Sequence, residues 1–185
     1  MQEPIDAPAP AAAFAGFGPF GRRLLALCKL LAIAGSLVFV ALVVMSIVSI
    51  VGRKLAAAPV PGDVEVLQMC AAFACASFFA YCHLVGGDVK VDFFTARLPA
   101  RAIHRLDAAG SLLFAIVGAA LAWRSWSGAM VVREAAETSI ILGWPVWVAQ
   151  VLMVPGFALM ALAGLYMVGA HLRTSPVGAA EEVRP

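Results

Sequence analysis

The chain has 185 residues, of which 63% are hydrophobic and 13% are charged, with a mean hydropathy of +0.94 and a formal net charge of +2. An ordinary soluble domain is about 45–50% apolar and about 25% charged. The composition therefore excludes a soluble globular protein and indicates an integral membrane protein. Four apolar runs are long enough to cross a bilayer, which takes roughly 20 helical residues. Nothing of domain size lies outside these runs.

The four apolar runs predict an all-α membrane domain. Helices are expected because every backbone N–H and C=O group in hydrocarbon must be paired within its own segment. The domain covers residues 22–172, and mobile tails are predicted at residues 1–21, rich in Ala, Pro and Gly, and at residues 173–185. We predict transmembrane helices at about residues 24–51, 64–85, 106–132 and 140–170.

The distribution of the cations predicts how these helices are oriented. If both termini lie in the cytoplasm, nine of the 13 Lys and Arg residues fall on the cytoplasmic side and four on the other side. Cytoplasmic loops of membrane proteins carry the excess of Lys and Arg. We therefore expect an N-in, C-in topology, in which the first-to-second and third-to-fourth connections lie outside.

Small residues predict where the helices approach one another. In lipid there is no hydrophobic drive between helices, so close approach through small residues supplies the attraction. Such strips, at four-residue spacing, could pack on each other within one bundle or on a larger membrane subunit. The second helix carries Ala72, Ala76 and Ala80, and the third carries Ser111, Ala115 and Ala119.

The connection between the second and third helices predicts an elbow on the inner side. A glycine pair is expected to end the second helix. The two phenylalanines that follow share one face while the polar residues can face water, which is typical of a short amphipathic helix in the membrane interface. Two carboxylates without further oxygen ligands make a poor cation site, so we expect solvated or capping aspartates. The elbow residues are Gly86, Gly87, Asp88, Asp92, Phe93, Phe94 and Pro99.

Arg124 interrupts the third apolar run. A charge at the bilayer centre costs about 2.5–3.5 kcal/mol even on the mildest scale, so it requires an explanation. Its long side chain can reach the outer interface, and Trp123 and Trp126 beside it are typical of headgroup level. We interpret Arg124 as an interfacial anchor or a partner contact rather than a charge on a transport path. Trp144 and Trp147 are predicted as further interface anchors.

The cysteines and histidines of the chain suggest two other classes of membrane protein. A thiol-oxidising membrane enzyme needs two thiols close together, commonly as C-x-x-C, and the four cysteines include no such pair. A haem- or quinone-associated anchor subunit of an electron-transfer complex holds imidazoles inside the bundle on facing helices. Here His83, His104 and His171 all fall at predicted inner helix ends, where an imidazole can be hydrated. The anchor subunit is kept as the alternative.

Several short motifs follow one another in a distinctive order. They are Arg53, then GDVE at 62–65, GGDVKVD at 86–92, Leu98-Pro99, Thr138-Ser139, GWPVW at 143–147 and Pro155-Gly156. In this order they resemble the small membrane subunit of tripartite ATP-independent periplasmic (TRAP) transporters, the DctQ-like family. The resemblance spans about residues 24–172. Two departures are that Asp63 and Glu65 are not adjacent, where many members have neighbouring acids, and that Asp88 replaces a frequent histidine.

The resemblance implies a division of labour among three proteins. A periplasmic solute receptor delivers an organic acid or similar solute to a large permease subunit, which moves it inward by secondary active transport with sodium. The small subunit braces the permease and helps to dock the receptor in the bacterial inner membrane. It implies no enzyme activity, no cofactor in this chain, sodium held by the large subunit, contact with membrane lipid, and no nucleic-acid partner.

Charged residues near the outer helix ends are the candidate contacts with the large subunit or the receptor. We also predict that Arg53 and Glu65 pair across the first outer loop. The candidates are Arg53, Glu65, Arg124, Arg133, Glu134 and Glu137. No catalytic residue and no metal ligand is predicted.

Overall fold

The computed structural model describes residues 18–56, 60–87 and 100–173. These residues form four helices and no β-strand. The all-α fold class is therefore confirmed. In chain order the helices are α1 (Pro19–Ala56), α2 (Asp63–Val85), α3 (Ala100–Glu134) and α4 (Val146–Arg173).

All four helices are long and apolar enough to cross a membrane. The shortest, α2, has 23 residues and is therefore about 35 Å long at 1.5 Å per residue. The hydrocarbon core of a bilayer is about 30 Å thick. The prediction of four membrane-spanning helices is thus confirmed, while the orientation of the helices stays a prediction.

The helix boundaries differ from the sequence prediction by five or six residues at four helix ends. Helix α1 ends at Ala56 rather than near residue 51, and α3 begins at Ala100 rather than near residue 106. Helix α4 begins at Val146 rather than near residue 140, because residues 135–145 form a separate segment, the connecting loop. Helix α1 begins at Pro19, inside the predicted tail, and proline is well suited to a first helical position. The rest of both predicted tails, residues 1–17 and 174–185, lies outside the described residues.

Helix α2 ends at Val85, where the glycine pair predicts a stop. Gly86 adopts the left-handed conformation with φ of 70°, which favours glycine. Its N–H donates to the His83 carbonyl at 3.2 Å, and the Gly87 N–H donates to the Cys82 carbonyl at 2.9 Å. Outside the described residues lie the other predicted elbow residues, Asp88, Asp92, Phe93, Phe94 and Pro99.

Helix α4 lies between α2 and α3 and packs against both, while α1 packs mainly against α2. Helices α2 and α3 meet through the stacked rings of His83 and Phe114, whose centroids are 4.0 Å apart. A buried cluster joins α1, α2 and α4 near the end of α2 that carries Gly86. It includes Leu24, Cys28, Ala80, Leu84, Phe157, Met160 and Ala163.

The small-residue strips of α2 and α3 pack on α4 and not on each other. A Cβ atom at Gly156 would lie 2.7 Å from the Ala76 carbonyl oxygen, and one at Gly164 would lie 2.8 Å from the Ser111 carbonyl oxygen. The sequence leaves open whether the strips pack on each other or on a larger subunit, and within this chain both pack on α4. The physical reason is that the glycines of α4 have no side chain, so its backbone can approach both neighbours closely. Ala119, at the end of the α3 strip, is exposed.

Candidate functional site

The connecting loop is closed by its own backbone hydrogen bonds. The Ser139 N–H donates to the Trp144 carbonyl at 2.8 Å, and the Val146 N–H donates to the Glu137 carbonyl at 3.2 Å. Gly143, with φ of 66°, turns the chain between these bonds. The loop therefore forms a compact hairpin-like turn at one end of the helices, which we call the loop end.

Glu65, in the first turn of α2, holds this loop in place. Its Oε2 accepts hydrogen bonds from the Ser139 hydroxyl at 2.6 Å and from the Leu142 N–H at 3.1 Å. Its Oε1 accepts one from the Ile141 N–H at 2.9 Å. Hydrogen bonds to an ionised carboxylate are stronger than neutral ones, and two of these donors are backbone groups that need a partner. Glu65 is therefore a clamp between α2 and the connecting loop.

A packing contact supports the Glu65 clamp. Leu142 lies directly on Gly62, the residue before α2, and a Cβ atom at Gly62 would lie 2.6 Å from the Leu142 Cγ. Gly62 also has φ of 73°, in the left-handed region. This position therefore favours glycine both for its backbone conformation and for the space that Leu142 occupies.

The two requirements at Gly62 can be measured separately. We expect Gly62→Ala to lower the free energy of unfolding by about 2–5 kcal/mol, because it combines left-handed strain of about 1–2 kcal/mol with overpacking of about 1–3 kcal/mol. Gly143→Ala is the matched control, since Gly143 is also left-handed but nothing lies within 4 Å of its added Cβ. Thermal unfolding in mild detergent measures both. If the two variants lose the same free energy of unfolding, the Leu142 side chain moves aside in Gly62→Ala at little cost.

Asp63 connects α2 to the end of α1. Its Oδ2 accepts a hydrogen bond from the Ser49 hydroxyl at 2.5 Å and lies 3.5 Å from the Arg53 guanidinium. Ser49 is buried and Arg53 is exposed. Because an exposed ion pair contributes only about 0–1 kcal/mol, the Ser49 bond is the stronger part of this contact.

The predicted Arg53–Glu65 pair is wrong. Arg53 pairs with Asp63 instead, while Glu65 faces the connecting loop. The reason is helical geometry: at 3.6 residues per turn, side chains two positions apart point about 160° away from each other. Asp63 can therefore face α1 only if Glu65 faces the other way.

The remaining candidate contact residues fall into two groups. Arg133, Glu134 and Glu137 are exposed at the loop end, and the Arg133 guanidinium carbon lies 5.4 Å from the centroid of the Trp147 ring. Arg124 is also exposed, but it precedes Glu134 by ten residues of α3, which is about 15 Å along the helix. Arg124 is therefore separate from the loop-end charges. Of the predicted anchors, Trp123, Trp126 and Trp144 are exposed and Trp147 is half-buried.

His83 departs from the expectation that it lies at a hydrated helix end. Only 8% of it is exposed, because its ring packs flat on Phe114. His83 lines a cavity of about 250 Å³ together with Asp107, Ser111 and His171. The His104 side chain lies outside the described part of the chain. Among the described residues, no group of three His, Cys, Asp or Glu side chains is placed to hold a metal ion, and all four cysteines are free thiols.

The four spanning helices and their internally bonded polar end define a multi-pass helical membrane protein. The family model of the DctQ component of tripartite ATP-independent periplasmic transporters matches residues 42–174, which is most of the chain. The chain belongs to this family, so the predicted resemblance is confirmed. The family is a component of transporters and not an enzyme family, and it implies partners of the large-permease and receptor kinds. No curated protein and no solved structure matches the chain.

Proposed function

We propose that this chain is the small subunit that braces the large permease of a TRAP-type secondary transporter and helps a periplasmic receptor to dock. The large subunit would move an organic acid or similar solute inward with sodium and would itself hold the sodium. On this proposal the chain needs no cofactor of its own. It would lie in the bacterial inner membrane with both termini in the cytoplasm.

The bracing role is supported by the contacts that hold the helices of this chain in fixed positions relative to one another. Glu65 and Asp63 connect three segments at the loop end, and α4 is in backbone contact with both neighbours through Gly156 and Gly164. Much apolar surface is nevertheless left uncovered, for example at Leu113, which is 63% exposed. A rigid body with broad apolar faces is suited to pack beside a larger membrane subunit.

The proposed docking surface for the receptor is the loop end. The excess of cations on the opposite side favours a periplasmic position for this end. Arg133, Glu134 and Glu137 are exposed there, and charges at the rim of an interface guide association and fix its register. Glu65 acts indirectly, because its carboxylate oxygens already bind the connecting loop.

Purification of the full, tagged chain from its native membrane tests the proposal. The chain is extracted in mild detergent, and the proteins recovered with it are identified by mass spectrometry. We expect the large permease to be recovered directly and the solute receptor after chemical crosslinking. Recovery of the chain alone would reject the proposal. Recovery with a haem- or flavin-bearing partner, visible in the absorption spectrum, would reject it in favour of the electron-transfer anchor.

Charge reversal tests the docking surface. We expect Glu137→Arg and Arg133→Glu to reduce the recovery of crosslinked receptor several-fold, most strongly at low salt, because exposed charges are screened by ions. Recovery of the large permease should not change. Arg105→Glu is the control, since Arg105 is also an exposed charge but lies near the opposite end of α3 from the connecting loop. Unchanged receptor recovery in both variants would rule out this surface.

A further inference from the structure

A half-enclosed groove with a volume of about 350 Å³ lies between α2 and α4. Met69 and Cys70 line it from α2, and Val148, Ala149 and Leu152 line it from α4. Val148 and Leu152 are exposed along its opening. The lining is almost entirely apolar and carries no charged side chain, so the groove offers shape and hydrophobic contact to an apolar ligand.

The groove lies at the depth of the hydrocarbon in the leaflet on the loop side. Its lining residues follow the starts of their helices by two to seven positions, which is about 3–11 Å along the helix axis. Helix α2 is only slightly longer than the hydrocarbon core is thick. The lower part of the groove is therefore surrounded by acyl chains and not by water.

The connecting loop forms the end of the groove that faces the polar boundary. Trp144 and Pro145 line the groove there, and tryptophan is enriched at the level of lipid headgroups. The loop cannot fold into the groove, because Glu65 fixes it through three hydrogen bonds. The neighbouring loop residue, Ile140, is 97% exposed, which fits a loop that lies against lipid.

We propose that this groove binds one acyl chain of a phospholipid from the leaflet on the loop side, with the ester and headgroup region beside Trp144. A whole helix, about 10 Å wide with its side chains, is wider than a groove of this volume, so a partner helix could place only its side chains there. A flexible unbranched chain can follow it from Trp144 to Leu152. The proposal does not depend on the transporter role, because it concerns surfaces that this chain forms alone.

Native mass spectrometry of the full chain in its complex, released from mild detergent, tests the lipid site. We expect the wild-type chain to retain one phospholipid and Ala149→Trp, which fills the groove, to reduce that retention at least fivefold. Ala119→Trp is the matched control, because Ala119 is exposed on α3 away from the groove. Equal retention in the two variants would overturn the proposal.

Photo-crosslinking identifies the occupant without relying on the folding of the tryptophan variants. A photoreactive residue replaces Val148 at the groove, or Leu113 on α3 as the control, and the native membrane is irradiated. At position 148 we expect an adduct with the mass of one phospholipid that survives purification. A protein adduct there would show that a partner side chain fills the groove, and no adduct there with one at position 113 would show that no lipid enters. Either result overturns the proposal.

Discussion

Glu65→Gln is expected to release the connecting loop from α2 and to lower the free energy of unfolding by about 2–4 kcal/mol. The substitution keeps the shape of the side chain but removes its charge, and it places an amide donor near the N–H groups of Ile141 and Leu142. Hydrogen bonds to charged groups contribute about 1.5–3 kcal/mol each, and bonds to one acceptor group are not additive. For a chain of this length, thermal unfolding should shift downward by about 4–16 °C.

Hydrogen exchange gives the local test of the Glu65 clamp. The amides of Ile141 and Leu142 should exchange faster in Glu65→Gln, while amides in the middle of α4 should keep their protection. Glu134→Gln is the matched control, because it also removes one negative charge near the connecting loop, but Glu134 is exposed and the two loop amides donate to Glu65. Unchanged exchange at Ile141 and Leu142 would show that the loop does not need the Glu65 carboxylate.

The clamp also changes how a defect at Glu65 should be interpreted. Glu65 was predicted as a direct contact for a partner, yet both its oxygens are engaged within the chain. A loss of receptor docking in Glu65→Gln would therefore be expected to follow the movement of the connecting loop, which carries Glu137 and adjoins Glu134. Comparison with Glu137→Arg separates the two causes, because only Glu65→Gln should also lower the unfolding temperature.

The sequence predicts the number and type of the helices because hydropathy is a local property. It misplaces the start of α4 because the residues at 140–142 are apolar but not helical. Two of their backbone N–H groups bind Glu65, which is 76 and 77 positions earlier in the chain. No pattern within a single segment contains that information. The Ser139 contact was missed for the same reason, although a serine before an apolar run was a visible signal.

The sequence predicts only part of which polar side chains contact each other. Helical periodicity already requires that Asp63 and Glu65 face different ways, but it does not say which of them faces Arg53. That choice depends on the position of the connecting loop. The small-residue strips likewise identify contact surfaces but not their partners. Gly156 and Gly164 are eight positions apart and therefore point about 80° from each other, which lets α4 contact α2 with one and α3 with the other.

Gly164→Leu is expected to have the largest effect of any single substitution considered, because it places a side chain between two backbones. A Cβ atom at Gly164 would lie 2.8 Å from the Ser111 carbonyl oxygen and 2.8 Å from the Ala115 backbone nitrogen. Backbone atoms cannot rotate away as a flexible side chain can, so α3 and α4 must separate. We expect a loss of about 3 kcal/mol or more, measured as a lower unfolding temperature and a smaller yield of monodisperse protein.

A pair of alanine substitutions tests this explanation with one methyl group each. Gly164→Ala should destabilise the protein by about 1–3 kcal/mol. Gly169→Ala, in the same helix, should be neutral or stabilising by about 0.5–1 kcal/mol, because nothing lies within 4 Å of its added Cβ and alanine favours the helix. Helix propensity alone predicts the same gain in stability at both positions. If the free energy of unfolding falls in Gly164→Ala and rises in Gly169→Ala, the difference can arise only from the contact with α3. Equal stability in the two variants would mean that α3 and α4 are not in backbone contact at Gly164.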